Sequence, residues 1–460
     1  MTTLALCGGT VAAGLDPVEL TSSDVLVQDG RIAAVGTAPA GVPRRDCTGT
    51  LVLPGNVCAH THLYSALSRG MPYSLPPPAN FTQILQRVWW RLDRALDEPA
   101  VRLSAMVGGL DALLAGTTTV IDHHASPNFI DGSLDVIGDA LAGLGLRSVL
   151  CYEVSDRDGA GRAAAGLKES IRFAAARRPL ARGMVGAHAS FTLSDRTLEA
   201  CASAAADAGV GVHIHVAEDA ADQADAAALH GCRVVQRLHG TGILTSAALL
   251  AHCVRIDDAE ARIIAQSGAT VALNARSNMN NGVGHSPVTG AAGAGTAVAA
   301  RPAVAVPGDR VALGTDGIGG DMITESQAAY FRAREASLRT PPSWPLDRLA
   351  AGARAAGRIF GEPLLGRIAP GAPADLVVLD YAAPAPLTAQ TLPGHWIYGC
   401  SPGQVRDVVV AGRLVIADRQ HTMIDAAELA AKARSESLRL WDRLADLPPH
   451  PFLPAGGMSP

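Results

Sequence analysis

The strongest constraint on the fold is an alternation of short apolar runs with longer Ala/Leu-rich stretches between residues 51 and 360. Eight short runs have the length and composition of buried parallel strands, and helical lengths separate them. These runs are 57–60, 118–122, 148–152, 184–187, 211–215, 248–251, 270–273 and 311–314. Strand–helix units in this number are typical of an α/β fold, the (β/α)8 TIM barrel of about 250 residues plus insertions.

Both ends of the chain carry short β-like pieces instead. The pieces are 3–7, 24–28 and 31–35 at one end, and 374–379, 404–410 and 413–417 at the other. Asp29-Gly30 predicts a tight hairpin between two of them. We therefore predict a small β-sandwich domain built from both chain ends, with the barrel inserted between its halves.

The predicted domains follow from these changes in pattern. Their limits are 1–54 and 366–423 for the two parts of the β-sandwich, 55–365 for the barrel, and 424–460 for a C-terminal helix and tail. The tail from residue 448 on is rich in proline and glycine, so we expect it to be loosely ordered. The Ala/Gly-rich segment 289–300 is either a lid or a plain surface insertion.

Composition excludes several classes of function. The net charge is −5 and no basic stripe is visible, which argues against a nucleic-acid partner. No apolar run is long enough to span a membrane, and the first residues lack the basic region of a secretory signal. Eight scattered cysteines without a Cys-X-X-Cys pair favour buried thiols in a reducing compartment. We expect a cytoplasmic protein that forms a homodimer or larger homo-oligomer.

Histidines follow several of the apolar runs. His60 and His62 end the first run, and residues two apart on a strand point to the same side. At the carboxyl end of a barrel strand both imidazoles would face the active-site mouth. Neutral imidazoles suit Zn²⁺ or Fe²⁺. A His-X-His pair alone is common by chance, so this interpretation depends on the other strand ends.

Three further strand ends carry polar groups of the same kind. His213 and His215 close the fifth run, and Glu218 follows at a distance that suits a general acid or base. His252 follows the sixth run, and Asp316 follows the eighth as a candidate ligand or base. Each group alone is also explained as a polar strand terminus. Together, and in this order, they predict a metal-dependent hydrolase site.

This arrangement resembles the amidohydrolase superfamily over almost the whole chain. The segments that carry the resemblance are LPG (53–55), CAHTHLYSAL (58–67), GTTTVIDHHASP (116–127), CYEVSDRDG (151–159), GTDGIG (314–319) and GRIAPGAPADL (366–376). Within the superfamily the chain is similar to the metal-dependent aminohydrolase and deaminase branch, and more narrowly to the SsnA-type aminohydrolases.

The resemblance implies one divalent metal ion, most simply Zn²⁺ with Fe²⁺ as the alternative. The ligands that it implies are His60, His62, His215 and Asp316. It also implies that Glu218 and His252, together with Asp316, handle protons during catalysis. We interpret His213 as an outer residue, oriented by a neighbouring carboxylate, that supports the ligands.

Two-metal members of the superfamily bridge their ions with a carbamylated lysine at a strand end. The only lysines of this chain are Lys168, in a helical stretch, and Lys432, near the C-terminus. His188 follows the fourth strand where that lysine would lie. We therefore predict a site with a single metal ion.

Six residues are predicted to bind substrate, namely His188, His123, His124, Trp89, Arg69 and Asn278. The resemblance implies the role of His188, and the tandem histidines follow the second strand, although a loop pair explains them nearly as well. Trp89 would stack on a flat heterocycle, and one of the two adjacent tryptophans, Trp89 and Trp90, is expected to belong to the core. Arg69 would bind a carbonyl or carboxylate group. Asn278 follows the seventh strand, where this chain lacks the His-Asn-Pro-like run of its relatives.

Several functions fit this site. The first is hydrolytic deamination of a small heterocycle such as a purine or pterin, and the alternative is ring-opening hydrolysis of a cyclic amide or amidine without ammonia release. Dehalogenation of a triazine-like ring is a minor option. A catalytically dead barrel that serves as a binding module is the candidate from a different class. The sequence does not separate deamination from ring opening, because specificity depends on loops.

Overall fold

The computed structural model describes residues 3–288 and 306–455. The segment 289–300, considered above as a lid or an insertion, lies outside the described residues. Within the part of the chain that is described, no helix combines the length and the apolar character needed to cross a membrane.

Among the described residues, seven strands precede the barrel. They are β1 (Thr3–Cys7), β2 (Thr10–Leu15), β3 (Val18–Ser22), β4 (Asp24–Gln28), β5 (Arg31–Gly36), β6 (Arg44–Asp46) and β7 (Leu51–Pro54). One sheet has the order β5-β4-β1-β6, whereas β2, β3 and β7 belong to a second sheet. Asp29 and Gly30 have φ values of 47° and 84°, so the predicted hairpin is confirmed.

The barrel strands follow in chain order. They are β8 (Asn56–Thr61), β9 (Thr117–His124), β10 (Arg147–Val154), β11 (Ala181–Gly183), β12 (Val185–Ala189), β13 (Val212–Val216), β14 (Leu249–His252), β15 (Thr270–Leu273) and β16 (Val311–Leu313). Their order is β16-β15-β14-β13-β12-β10-β9-β8, all parallel, with the short β11 paired to β10. The predicted (β/α)8 barrel is therefore confirmed, including all eight predicted strands.

The barrel closes just beyond β16. The amides of Thr315 and Asp316 donate to the carbonyl oxygen of His60 at 2.8 and 3.0 Å. A Cβ atom on Gly314 would lie 2.7 Å from that same oxygen, so only glycine allows the two strands to approach this closely. Closure places His60 and Asp316 side by side.

Four strands at the far end complete the second sheet. They are β17 (Leu376–Leu379), β18 (Val405–Val410), β19 (Arg413–Ala417) and β20 (Gln420–His421), and the full order is β20-β19-β18-β17-β7-β2-β3. Buried apolar residues from both sheets, among them Val25, Ile32, Val52 and Val378, form one core. The predicted β-sandwich from both chain ends is thus present. The four domain limits stay a prediction.

Helices surround the barrel. They are α1 (Phe81–Ile84), α2 (Trp90–Ala95), α3 (Glu98–Leu114), α4 (Ser133–Leu144), α5 (Ala160–Ala175), α6 (Asp195–Ala208), α7 (Ala220–His230), α8 (Val234–Gly240), α9 (Asp258–Ser267), α10 (Ala275–Asn280), α11 (Met322–Ala336), α12 (Trp344–Phe360), α13 (Leu392–Tyr398) and α14 (Ala426–Ala445). A π-helical turn, Leu85–Trp89, joins α1 to α2. The predicted C-terminal helix is α14, which packs against α3 and α2.

Candidate active site

Four buried side chains converge where three barrel strands end. His60 lies near the end of β8, with His62 just beyond it, His215 is in β13, and Asp316 follows β16. One ligand atom from each lies within 4.8 Å of the others. His62 Nε2 is 3.0 Å from Asp316 Oδ1 and 3.1 Å from His215 Nε2. The structure therefore brings together the four residues for which the sequence implied a shared metal ion.

Two of these imidazoles are held by backbone carbonyl groups. The Nδ1–H of His62 donates to the carbonyl oxygen of His123 at 2.6 Å, and that of His215 donates to the carbonyl oxygen of His188 at 2.7 Å. In each ring the opposite nitrogen, Nε2, points into the cluster, and it offers a lone pair when the ring is neutral. This is the usual support for a histidine that binds a metal ion.

His60 is held by another histidine instead. Its Nδ1 lies 2.9 Å from His213 Nε2, while its own Nε2 is buried and has no hydrogen-bond partner among the described residues. Burial lowers the pKa of His60 to about 3, so the ring is neutral. A neutral imidazole with an unpartnered, buried nitrogen fits a divalent metal ion. His213 contacts Cys151 Sγ at 3.7 Å rather than the carboxylate that we expected to orient it.

The carboxylate of Asp316 supplies the negative charge of the cluster. Burial alone would raise its pKa, but the His60 and His62 rings, whose Nε2 atoms lie 3.5 and 3.0 Å from Oδ1, hold it well below the usual range. The Ser277 hydroxyl donates to Oδ2 of the same carboxylate. Burial lowers the pKa of His62, yet Asp316 outweighs burial and raises that pKa to about 9. The raised pKa of His62 shows that the cluster attracts positive charge, and a bound divalent cation would supply that charge.

The two residues that we predicted to carry protons with Asp316, Glu218 and His252, lie beside the cluster. His252 Nε2 is 3.5 Å from Glu218 Oε2, and His252 Nδ1–H donates to Asn278 Oδ1 at 2.8 Å. Asn281 Nδ2 donates to Glu218 Oε1 at 3.2 Å. Burial raises the pKa of Glu218 to about 7, in the range in which a general acid or base works best at neutral pH.

The backbone is strained at two of these positions. His252 has a φ of 72° and Asp316 a φ of 54°, which is the left-handed region that residues with a side chain seldom adopt. Such strain clusters at functional sites, because surrounding contacts must hold it in place. His252 is the last residue of β14, and Asp316 lies three residues beyond the end of β16.

A cavity opens from this cluster, with about 580 Å³ of empty space that includes the solvent at its mouth. Aromatic side chains form one part of its wall, namely Tyr64, Phe81, Trp89, Trp90 and Phe191. A Cβ atom on Gly317 would lie 2.2 Å from the Trp89 ring, so glycine is needed to admit that ring next to Asp316. A flat heterocycle could stack on such a wall.

The C-terminal tail supports this aromatic wall, and our expectation of a loosely ordered tail is wrong for residues 448–455. The amide of His450 donates to Gln86 O at 2.9 Å, and Gln86 Nε2 donates to Phe452 O at 2.8 Å. The Phe452 ring centre is 5.7 Å from that of Trp90 and 6.4 Å from that of Phe191. The four prolines between residues 448 and 455 therefore lie in a packed segment.

Two of the six predicted substrate residues, Trp89 and His188, line the cavity. Asn278 and His123 do not, and both support other side chains. Asn278 holds His252 as described above, and His123 Nδ1 lies 3.1 Å from Glu153 Oε2. Their placement corrects our expectation of direct substrate contact.

The other two predicted substrate residues also lie away from the cavity lining. The fully buried His124 has Nε2 2.8 Å from Ser126 Oγ, behind the wall. Arg69 donates to Asp111 at 2.7 Å in an ion pair between partly exposed side chains. Arg69 therefore neutralises a helix carboxylate outside the cavity, which corrects the substrate role that we predicted for it.

Sequence reasoning missed a buried ionic group in the wall. Glu153 in β10 and Asp93 in α2 both line the cavity, and Arg157 joins them at 2.9 and 2.7 Å. Glu153 directly follows a predicted strand, so the strand-end rule that selected His215 would have found it. Asp93 gave no such signal, because only the fold brings α2 next to β10.

Both lysines lie on exposed helix surfaces. Lys168 is in α5, and Lys432 in α14 pairs with Glu428 at 2.7 Å. Neither is near a barrel strand end, which supports a site for one metal ion.

Comparison with known proteins places this geometry in context. The model of the amidohydrolase family matches residues 51–415. A 5-methylthioadenosine/S-adenosylhomocysteine deaminase of Nitratidesulfovibrio vulgaris is 31% identical over 432 residues, which cover 91% of this chain and 93% of that protein. A 5'-deoxyadenosine deaminase of Methanopyrus kandleri is 28% identical over 453 residues, covering 94% of this chain and 99% of that protein.

Solved structures show the same architecture. An adenosine deaminase from Xanthomonas campestris with bound zinc superimposes with a TM-score of 0.80 at 25% identity, covering 96% of this chain and 99% of that one. An atrazine chlorohydrolase from Arthrobacter aurescens TC1 complexed with zinc gives a TM-score of 0.77 at 22% identity, covering 94% of this chain and all of that one (100%). The second likeness concerns the fold alone.

Proposed function

This chain belongs to the amidohydrolase family, and we propose that it deaminates the purine ring of an adenosine-type nucleoside by hydrolysis. The main support for this proposal is a cluster of side chains in a cavity with an aromatic wall. The cluster consists of His60, His62, His215 and Asp316, and Glu218 lies beside it. The names of the relatives, which are deaminases of adenosine derivatives, support a purine ring over other heterocycles.

We propose that the metal ion is Zn²⁺ and that each chain holds one. Three neutral histidine nitrogens and one carboxylate oxygen suit Zn²⁺, with Fe²⁺ as the alternative. A bound ion of this kind activates a water molecule as a nucleophile at neutral pH. The residues His60, His62, His215 and Asp316 would hold it.

The chain's own side chains would then bind the ring and move protons. Trp89 lies where it would stack on a flat ring, which orients the ring for attack. Glu218, with a pKa near neutrality, would donate its proton to a ring nitrogen and recover one from the new hydroxyl group as the carbonyl forms. The proton taken from the water would pass to the departing amino group, which leaves as ammonia. His252, held by Asn278, would orient the attacking water and accept its proton together with Asp316.

Ammonia release tests this proposal. The protein loaded with Zn²⁺ is assayed on adenosine, 5'-deoxyadenosine, 5-methylthioadenosine, a pterin and an aminotriazine, with metal content measured on the same sample. Ammonia from a nucleoside, with one ion per chain, is the expected result. Silence with every nucleoside would overturn the proposal, and activity with cyclic amides would then favour ring opening.

Two further predictions stay open to experiment. We propose a cytoplasmic location, and a homodimer or larger homo-oligomer as the assembly. Sedimentation or light scattering of the purified protein measures the second of these directly.

A further inference from the structure

The described part of the tail, residues 448–455, joins two helices that contribute to the cavity wall. Arg94 in α2 donates to the carbonyl oxygen of Pro448 at 2.7 Å. Farther along, the amide of Ala455 donates to Oδ1 of Asp225 in α7 at 2.6 Å. Both helices supply residues that line the cavity, whereas no described residue of the tail does so. The tail therefore connects the two helices behind the wall.

Phe452 packs behind two aromatic rings of the wall. Its ring centre is 5.7 Å from that of Trp90 and 6.4 Å from that of Phe191, and both of these rings line the cavity. Aromatic rings at such distances attract one another through their quadrupoles as well as through burial. Without the Phe452 ring, Trp90 and Phe191 would face a void into which they can turn.

His450 makes a second contact between the tail and the wall. It is 4% exposed, and its ring centre lies 5.3 Å from that of Trp90. The amide of Phe452 donates to His450 Nδ1 at 3.1 Å, so the ring carries its proton on Nε2. This Nε2 faces Asp158 Oδ1 at 3.5 Å. His450 thus connects the tail with the loop that follows β10.

The contacts continue from this loop to the cavity. Asp158 Oδ2 lies 3.5 Å from Arg157 Nε. Arg157 in turn pairs with Glu153 at 2.9 Å and with Asp93 at 2.7 Å, and these two residues line the cavity. Burial alone would raise the pKa of Asp158, but His450 and Arg157 hold it below its usual range, so this carboxylate stays charged.

The end of α14 is fixed independently of these contacts. Arg91 donates to the carbonyl oxygens of Leu444 and Leu447 at 2.6 and 2.8 Å, and both residues precede the tail. Phe452 itself is only partly buried. Loss of its ring should therefore disturb the wall next to it and leave the barrel and α14 in place.

We propose that Phe452 and His450 are positioning residues of the active site, and that the tail thereby sets how tightly the substrate is bound. They act through the wall and do not touch the substrate themselves. The inference rests on the proposed deaminase function, because it concerns substrate binding at the same site. Among the described residues, no hydrogen bond, ion pair or ring contact joins the tail to the four proposed metal ligands, so metal binding should not depend on it.

The kinetics of Phe452→Ala test the proposal. On the nucleoside that the wild type turns over fastest, we expect KM to rise about 10-fold and kcat to stay within about 2-fold, which indicates a loss of binding alone. Metal content should stay at the wild-type value. Phe452→Tyr keeps the ring and should recover most of the affinity. Leu453→Ala is the matched control, since this neighbouring side chain is 68% exposed.

His450→Ala tests the second contact. It removes the interactions with Trp90 and Asp158 and should raise KM about 3- to 10-fold. An unchanged KM in Phe452→Ala would overturn the proposal, and an unchanged KM in His450→Ala would overturn it for that residue. A rise in KM that comes with loss of kcat and of bound metal would also overturn it, because the tail would then serve folding alone.

Tryptophan fluorescence tests the positioning of Trp90 without a substrate. Trp90 is 1% exposed, so acrylamide should hardly quench it in the wild type. Quenching should increase in Phe452→Ala, and the increase should be absent when both proteins also carry Trp90→Phe. Leu453→Ala should match the wild type. Equal quenching in Phe452→Ala and the wild type would show that the tail does not hold Trp90, and would overturn the proposal.

The outcomes separate this proposal from the function on which it rests. Ammonia release with an unchanged KM in Phe452→Ala keeps the deaminase function and overturns the role of the tail. Silence of the wild type on every nucleoside overturns the deaminase function, and the role of the tail in substrate binding with it. The quenching measurement then still decides whether the tail holds Trp90 in the wall.

Discussion

His60 Nδ1 lies 2.9 Å from His213 Nε2, and both rings are completely buried. The contact fixes the proton of His60 on Nδ1 when His213 is the acceptor, so that Nε2 of His60 is free to bind a metal ion. His213 is thus a positioning residue for a proposed ligand. The two residues come from opposite sides of the barrel, on β8 and β13.

Loss of this contact should weaken metal binding. In His213→Leu the acceptor for His60 disappears, and we expect affinity for Zn²⁺ to fall about 10- to 100-fold, as is typical when the support of a ligand is removed. His213→Gln keeps a possible acceptor and should recover part of the affinity. Competition with a chelator measures both, and His239→Ala, at an exposed helix position, is the control. Unchanged affinity in His213→Leu would contradict the positioning role.

Removal of the acidic group of Glu218 should slow turnover and leave metal binding unchanged. Glu218→Gln keeps the shape and can still accept from Asn281, but it cannot transfer a proton. We expect kcat to fall about 10²- to 10⁴-fold while metal content stays at the wild-type value. The exposed Glu199→Gln serves as the control for charge loss alone. A full rate in Glu218→Gln would rule out this residue as the proton carrier.

The sequence predicted the site well wherever a strand ended in a polar group. Parallel strands of a barrel all finish at one mouth, so residues such as His62, His215 and Asp316 had to meet once the strands were assigned correctly. The same rule was not applied to Glu153. The rule could not identify Asp93, because that residue lies on a helix and its position at the site depends on how α2 packs.

The tail shows a different limit of sequence reasoning. Proline and glycine near Phe452 predicted disorder from local composition, whereas the segment packs on Trp90 through contacts with residues more than 350 positions earlier in the chain. Local propensity does not contain such tertiary contacts. The substrate role predicted for Arg69 was wrong for a related reason, because its ion-pair partner, Asp111, lies on α3 and is not evident from local sequence.

The space occupied by Trp89 depends on a glycine. In Gly317→Ala the new methyl group would lie within 2.2 Å of the Trp89 ring, which must move out of the cavity. We expect kcat/KM to fall at least about 10-fold, mainly through KM, because stacking on the substrate ring is lost. Gly319→Ala is the matched control, since its methyl group would meet only Arg69 at 3.7 Å. Equal kcat/KM in the two variants would contradict a stacking role for Trp89.

Buried Asp122 should make stability depend on pH. It is fully buried behind the site, accepts from the amide of Leu63 at 2.7 Å, and burial raises its pKa to about 6. An aspartate in the unfolded chain has a pKa of about 3.9. Because the folded-state value is the higher one, the contribution of Asp122 to stability is complete below about pH 4 and is lost as the pH rises through about 6.

The side chain in Asp122→Asn is neutral throughout this pH range, so the variant should not lose stability in this way as the pH rises. One pKa unit corresponds to about 1.4 kcal/mol, and part of the effect is already present at pH 4, so the free energy of unfolding of the variant should gain about 2 kcal/mol on that of the wild type between pH 4 and pH 7. Thermal midpoints of both proteins, measured at several pH values, report this difference. Any destabilisation by the new amide is the same at every pH, so it does not affect the comparison. As the control, Asp131→Asn at an exposed position should show the same pH dependence of stability as the wild type. If Asp122→Asn also showed that pH dependence, the carboxyl group would have to be ionised at low pH, and a donor to its second oxygen would have to exist.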